Sequence, residues 1–87
     1  MISDLKKICH QVSVKKNIDV QIRPFPDPTI TQVVVRGIKD DGSEGEVAFN
    51  FKAVLLMQIY DVTLRNYLMD QIDKFRAGQR CQGIRLK

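Results

Sequence analysis

Apolar residues recur along this chain at two different spacings. Leu5, Ile8, Cys9 and Val12 fall at i, i+3, i+4 and i+7, the stripe of a helix of about three turns. Ser3 is placed to cap its start, Asp4 suits the positive end of its dipole, and Asn17 follows Lys15-Lys16 as a left-handed stop. From Ile18 the period drops to two. Ile18, Val20 and Ile22 alternate with Asp19, Gln21 and Arg23, which predicts a half-buried strand. Pro24, Pro26 and Pro28 end it, because proline cannot donate to a ladder. Thr29 to Ile38 reads as a longer strand around Val33-Val34-Val35, and Asp41-Gly42 marks a hairpin turn, with Gly45 a candidate bulge. Val47, Phe49 and Phe51 alternate with Glu46, Ala48 and Asn50 as a third strand.

Lys52 to Ala77 reads as helical without one even period. Ala53 to Met57 is apolar almost all round, which predicts a short buried turn of helix. Asp61 or Thr63 then caps a fresh start, after which Leu64, Leu68, Ile72 and Phe75 share a face until Gly78. The last helix is therefore expected to be broken. Beyond it, Ile84 and Leu86 alternate with Arg85 and Lys87, the pattern of a short docked strand.

The order α-β-β-β-α predicts an α+β fold: a two-layer sandwich of a three-stranded antiparallel sheet with helices on one face. Residues 1–78 form the single domain and 79–87 a basic tail. Arg36 and Gln32 are costly to bury unpaired, so Thr31, Val33, Val35 and Gly37 are expected inward and Ile30, Gln32, Val34, Arg36 and Ile38 outward. Asp19, Gln21, Arg23, Glu46, Ala48 and Asn50 share that outer face, polar with apolar spots at Ile30, Val34 and Ile38.

With 87 residues, 44% hydrophobic and 28% charged, the chain fits one small globular domain. Its stability margin is modest, and a homodimer would hide more apolar surface. Its two cysteines, Cys9 and Cys81, fit free thiols better than a disulfide framework. The longest apolar stretch, Ala53 to Met57, is far short of the ~20 residues that cross a bilayer, and neither membrane nor secretory signal is read. A cytoplasmic protein is expected. The net charge of +4 is unevenly spread: Lys74, Arg76, Arg80, Arg85 and Lys87 all fall after residue 73 with no acid among them. Asp40, Asp41, Glu44 and Glu46 crowd into the hairpin tip.

Catalytic constellations are not read. His10 is the single histidine, and its neighbour Cys9 points about 100° away on a helix, so the two do not form a nucleophile–base pair. Cys9, His10 and Cys81 have no zinc-ligand spacing, and the acidic tip lacks the spacing of the twelve-residue calcium loop. No enzyme, metal or cofactor is expected.

The element order resembles the double-stranded-RNA-binding domain. Where that family opens its last helix with a Lys-Lys-x-Ala-Lys cluster, this chain reads Asn50-Phe51-Lys52-Ala53-Val54-Leu55. A second resemblance is to small phage and prophage proteins. The segments Ile2-Ser3-Asp4-Leu5 and Ile30-Thr31-Gln32-Val33-Val34-Val35-Arg36, running into Asp41-Gly42, are similar to small anti-CRISPR inhibitors of Cas9. Those inhibitors are strongly acidic, whereas this chain is acidic only at its hairpin tip. The resemblance implies a non-enzymatic phage-type protein that docks onto a larger protein assembly, a nucleoprotein included, and inhibits a host defence complex or serves as a phage structural or accessory protein. The expected contact surface is Gln21, Arg23, Gln32, Val34 and Arg36 with Asp40, Asp41, Glu44 and Glu46. The alternative is a small basic nucleic-acid-binding domain that uses Lys74, Arg76, Arg80, Arg85 and Lys87.

Overall fold

The computed structural model describes residues 5–86. Ser3 and Asp4, expected at the first helix start, lie outside the described residues, as does Lys87. Helix α1 (Leu5–Lys16) buries Leu5, Ile8, Cys9 and Val12, the stripe read from the spacing. Asn17 ends it at φ 50, in the left-handed region. Strands β1 (Asp19–Arg23), β2 (Ile30–Ile38) and β3 (Glu44–Lys52) form an antiparallel meander. The Pro24–Pro28 connection closes on an Asx turn, in which Asp27 Oδ1 accepts from the Thr29 amide at 2.9 Å and the Thr29 hydroxyl at 2.7 Å.

The β2–β3 register runs unbroken from Ile30↔Lys52 to Ile38↔Glu44, so the bulge expected at Gly45 is absent. Gly45 has a packing role instead. A Cβ there would stand 3.0 Å from Phe75 Cε1, so its bare backbone makes room for that ring. The turn is held by Lys39 N–H to the Ser43 carbonyl at 2.8 Å and by Gly42 at φ 87.

The helical stretch is broken as expected. Helix α2 (Ala53–Leu56) is one turn, and α3 (Asp61–Arg76) restarts after Tyr60, whose extended backbone occupies the cap position without a side-chain bond. Leu64, Leu68, Ile72 and Phe75 of α3 join the α1 stripe and the inward residues Val33, Val35, Val47, Phe49 and Phe51 in one core. Both long helices thus lie on one sheet face, and the expected register holds.

Beyond residue 78 the chain does more than trail. Strand β4 (Ile84–Arg85) pairs antiparallel with β3 through Val47↔Arg85 and Ala48↔Ile84, giving the order β1-β2-β3-β4. Leu86 N–H adds a bond to the Glu46 carbonyl at 2.9 Å. The buried Gln71 side chain, unremarkable in the sequence, accepts from Gln82 N–H at 2.8 Å and pins the approach to this strand.

Candidate functional site

The outer sheet face carries the expected residues, already engaged with one another. Arg23 Nη1 meets Glu46 Oε1 at 2.7 Å, from β1 to β3 across the intervening β2. The diagonal passes over the row Gln21–Val34–Ala48, because Arg23 pairs with Gln32 one step away while Glu46 pairs with Arg36 on the other side. Val34, expected as an exposed apolar spot, is therefore 1% exposed although it points away from the core. Ala48 beside it is covered equally. Of the three apolar spots expected on this face, Val34 is hidden under an ion pair, which corrects the expectation for it, whereas Ile30 is half-buried and Ile38 is exposed as expected. A residue's direction follows from period two, but its cover depends on neighbouring strands that alternation does not reveal.

The other face residues are similarly paired. Gln32 Nε2 donates to Asn50 Oδ1 at 3.0 Å, Gln21 Nε2 to Asp19 Oδ2 at 3.0 Å, and Arg36 Nη2 lies 3.8 Å from Glu44 Oε1. Gln21, Arg36, Asp40, Asp41 and Glu44 are exposed, and Glu46 is mostly covered. The acidic residues are thus not one knob: Glu46 belongs to the sheet face, and Asp40 and Asp41 to the tip. Asp41 Oδ1 accepts from the Ser43 amide at 2.8 Å and its hydroxyl at 2.6 Å, which holds the Asp41 carboxyl below its ordinary range. Asp40 N–H donates to the Arg76 carbonyl at 2.8 Å, seating the tip on the C-terminal end of α3.

Of the cations in the alternative reading, Lys74 Nζ lies 3.3 Å from Asp70 Oδ2 and Arg76 Nη2 donates to the Asn17 carbonyl at 3.0 Å. Arg80 is exposed, Arg85 lies in β4, and Lys87 is outside the described residues. Cys9 is buried and His10 exposed, and burial pushes the Cys9 thiol up to about 11, away from thiolate chemistry. Among the described residues no three His, Cys, Asp or Glu side chains group as metal ligands, and no helix is long and apolar enough to cross a membrane.

Val14, Ile38, Ile84 and Leu86 are exposed at scattered positions, but the densest run of exposed apolar residues lies at the corner between α2 and α3. The expectation of a buried helical turn at Ala53–Met57 is overturned there: only Leu56 turns inward. Val54, Leu55, Met57, Tyr60 and Val62 are all exposed, Met57 at 68% and Tyr60 at 77%. A four-residue helix at the end of β3 can bury just one side against the sheet, so the rest of the run faces water. Grooves flank it. One of about 490 Å³ is lined by Pro28, Ile30, Lys52, Val54 and Met57. Another of about 360 Å³ runs between Phe49, Phe51, Leu55, Ile59, Leu64 and Tyr67. The missed signal was the polarity of the flanks: Gln58 and Asp61 are poor neighbours for a buried segment.

Compared with protein-family models, with curated proteins and with solved structures, the chain matches none.

Proposed function

We propose that this protein is a non-enzymatic docking module that binds a larger protein assembly through the apolar corner of Val54, Leu55, Met57, Tyr60 and Val62. One observation carries the reading: five large apolar side chains stand exposed within residues 54–62, and three of them, Val54, Leu55 and Met57, line two grooves. Exposed apolar side chains this dense along the chain mark a surface that a partner covers. Aromatic and methionine side chains are also those that protein interfaces favour. The polar sheet face then frames the contact and does not form its centre, since Arg23, Gln32 and Arg36 already have partners.

At the finer level, the anti-CRISPR-like segments support an assembly that is a host defence nucleoprotein, inhibited when the module binds. Affinity capture from a bacterial host lysate tests the coarse reading with the wild type beside a Leu55→Asp, Met57→Asp variant. Proteins retained by the wild type should be lost from the variant; an identical pattern refutes the corner. Plasmid transformation into a strain whose Cas9-type nuclease targets that plasmid tests the finer reading. Expression of the wild type should restore transformants, and no rise in their number would refute inhibition.

A further inference from the structure

The free edge of β1 is self-complementary, and we infer that two copies of this chain join their sheets there as a two-fold dimer. The backbone sets the register first. Ile18 N–H donates to the Ser13 carbonyl at 3.1 Å, and the Ser13 hydroxyl donates to the Ile18 carbonyl, so the Ile18 peptide groups turn away from β2. Peptide groups alternate direction along a strand, which turns those of Asp19, Gln21 and Arg23 toward β2 and those of Val20 and Ile22 toward the open edge. The edge thus presents two residues with free donors and acceptors. It is bounded by Ile18, already satisfied within its own chain, and by Pro24, which has no N–H.

Only one antiparallel register between two copies pairs both free residues with both free residues: Val20 opposite Ile22, Ile22 opposite Val20, and Gln21 facing its own copy on the dyad. That register was chosen on backbone grounds alone. It places Asp19 opposite Arg23, twice by symmetry, on the outer face, at the closer non-hydrogen-bonded positions where side chains meet best. Shifting by two residues either way sets Gln21 against Asp19 or against Arg23 and loses the charge match. Arg23 reaches Glu46 at 2.7 Å through one guanidinium nitrogen, and its remaining donors are enough for a second carboxylate. On the inner side, Val20 and Ile22 are half-buried against the core, and each covers the other's equivalent across the dyad. Strand β1 itself carries no lysine and no bulge, and among the described residues no other strand pairs with its open side, which α1 borders through Lys6, His10 and Ser13.

Gln21 supplies the test, because it faces its own copy in this register alone and its one side-chain bond is to Asp19. In sedimentation runs over a concentration series, the wild type should shift from the mass of one chain toward that of two. Gln21→Glu and Gln21→Lys should each weaken self-association about fivefold to tenfold, by setting like charges across the dyad, and an equal mixture of the two should restore it. Hydrogen exchange on the wild type gives a readout that needs no variant: the Val20 and Ile22 amides should gain protection as concentration rises. A single-chain mass up to about 1 mM with those amides exchanging freely would overturn the dimer. So would variants that self-associate as tightly as the wild type.

Discussion

Arg23 and Glu46 show how one residue pair changes what a sheet face offers. Their 2.7 Å contact spans β2 and closes over Val34, so the same interaction that neutralises two charges removes an apolar side chain from water. Replacing Arg23 with Ala leaves the Glu46 carboxylate, 13% exposed, without its partner and uncovers Val34. A loss of about 1–2 kcal/mol is expected in chemical denaturation. Charge reversal at Arg23 would therefore mix a folding defect into any binding result, whereas Arg36, whose nearest carboxylate is 3.8 Å away, is the cleaner position to reverse. Two other carboxylates link stability to pH. Bonds from Ser43 lower Asp41, and bonds from Thr29 lower Asp27, below the ordinary 3.8. A folded-state value below the unfolded one stabilises fully above 3.8 and is lost as pH falls through the folded value. The melting temperature should therefore drop as pH is lowered through about 4 toward 2. Ser43→Ala should flatten part of that slope.

Elements differed in how openly their patterns declared them. The α1 stripe, the alternation in β1 and β3 and the restart of α3 rest on local periodicity, and each lies where that periodicity puts it. The register of β2 followed from one energetic preference, keeping Arg36 and Gln32 out of the core. What stayed illegible depended on contacts between distant segments. The run Ala53–Met57 has the composition of buried helix, yet it lies at the end of β3 where no layer covers it. The alternation around Ile84 did mark a short docked strand after residue 78, but its anchor was not legible: Gln71 belongs to no pattern in the sequence, yet its buried side chain accepts from Gln82 N–H and holds the approach to β4. Gly83 gives a direct check on this element. A Cβ there would collide with Val47 Cγ2 and stand 2.9 Å from Phe49 Cε1, both part of the core. Gly83→Ala should therefore release β4 from β3 or strain it, costing about 1–3 kcal/mol. Hydrogen exchange should report it as lost protection at Leu86 N–H, which bonds Glu46 in the native sheet.

Over the whole molecule, part of the charge asymmetry of the sequence closes up in space. The acidic tip and the basic end are far apart along the chain, but the Asp40 N–H donates to the Arg76 carbonyl, which brings the tip against the end of α3. Lys16 meets Asp73 at 2.9 Å and Lys74 meets Asp70 at 3.3 Å on the same helix. Lys74 is thereby offset by a carboxylate and Arg76 is held on a backbone carbonyl, which leaves exposed Arg80 as the described cation most open to a polyanion. The apolar corner lies at the opposite end of β3, nine residues from the tip, a separation of about 30 Å along an extended strand. The two candidate modes of binding thus occupy different ends of the molecule and respond differently to salt. A protein that neutralises several phosphates loses about a thousandfold or more in affinity between about 50 and 200 mM salt. Contacts made by Leu55, Met57 and Tyr60 lose little over that range, because burial of apolar surface is not screened. Gel shifts with short duplex RNA and duplex DNA should show weak retardation at low salt that vanishes by about 200 mM. Retention of a captured protein partner on the immobilised wild type should persist through the same range. Tight duplex binding that survives Leu55→Asp and collapses on Arg80→Glu would reverse the assignment, moving the working surface from the α2–α3 corner to the end of α3.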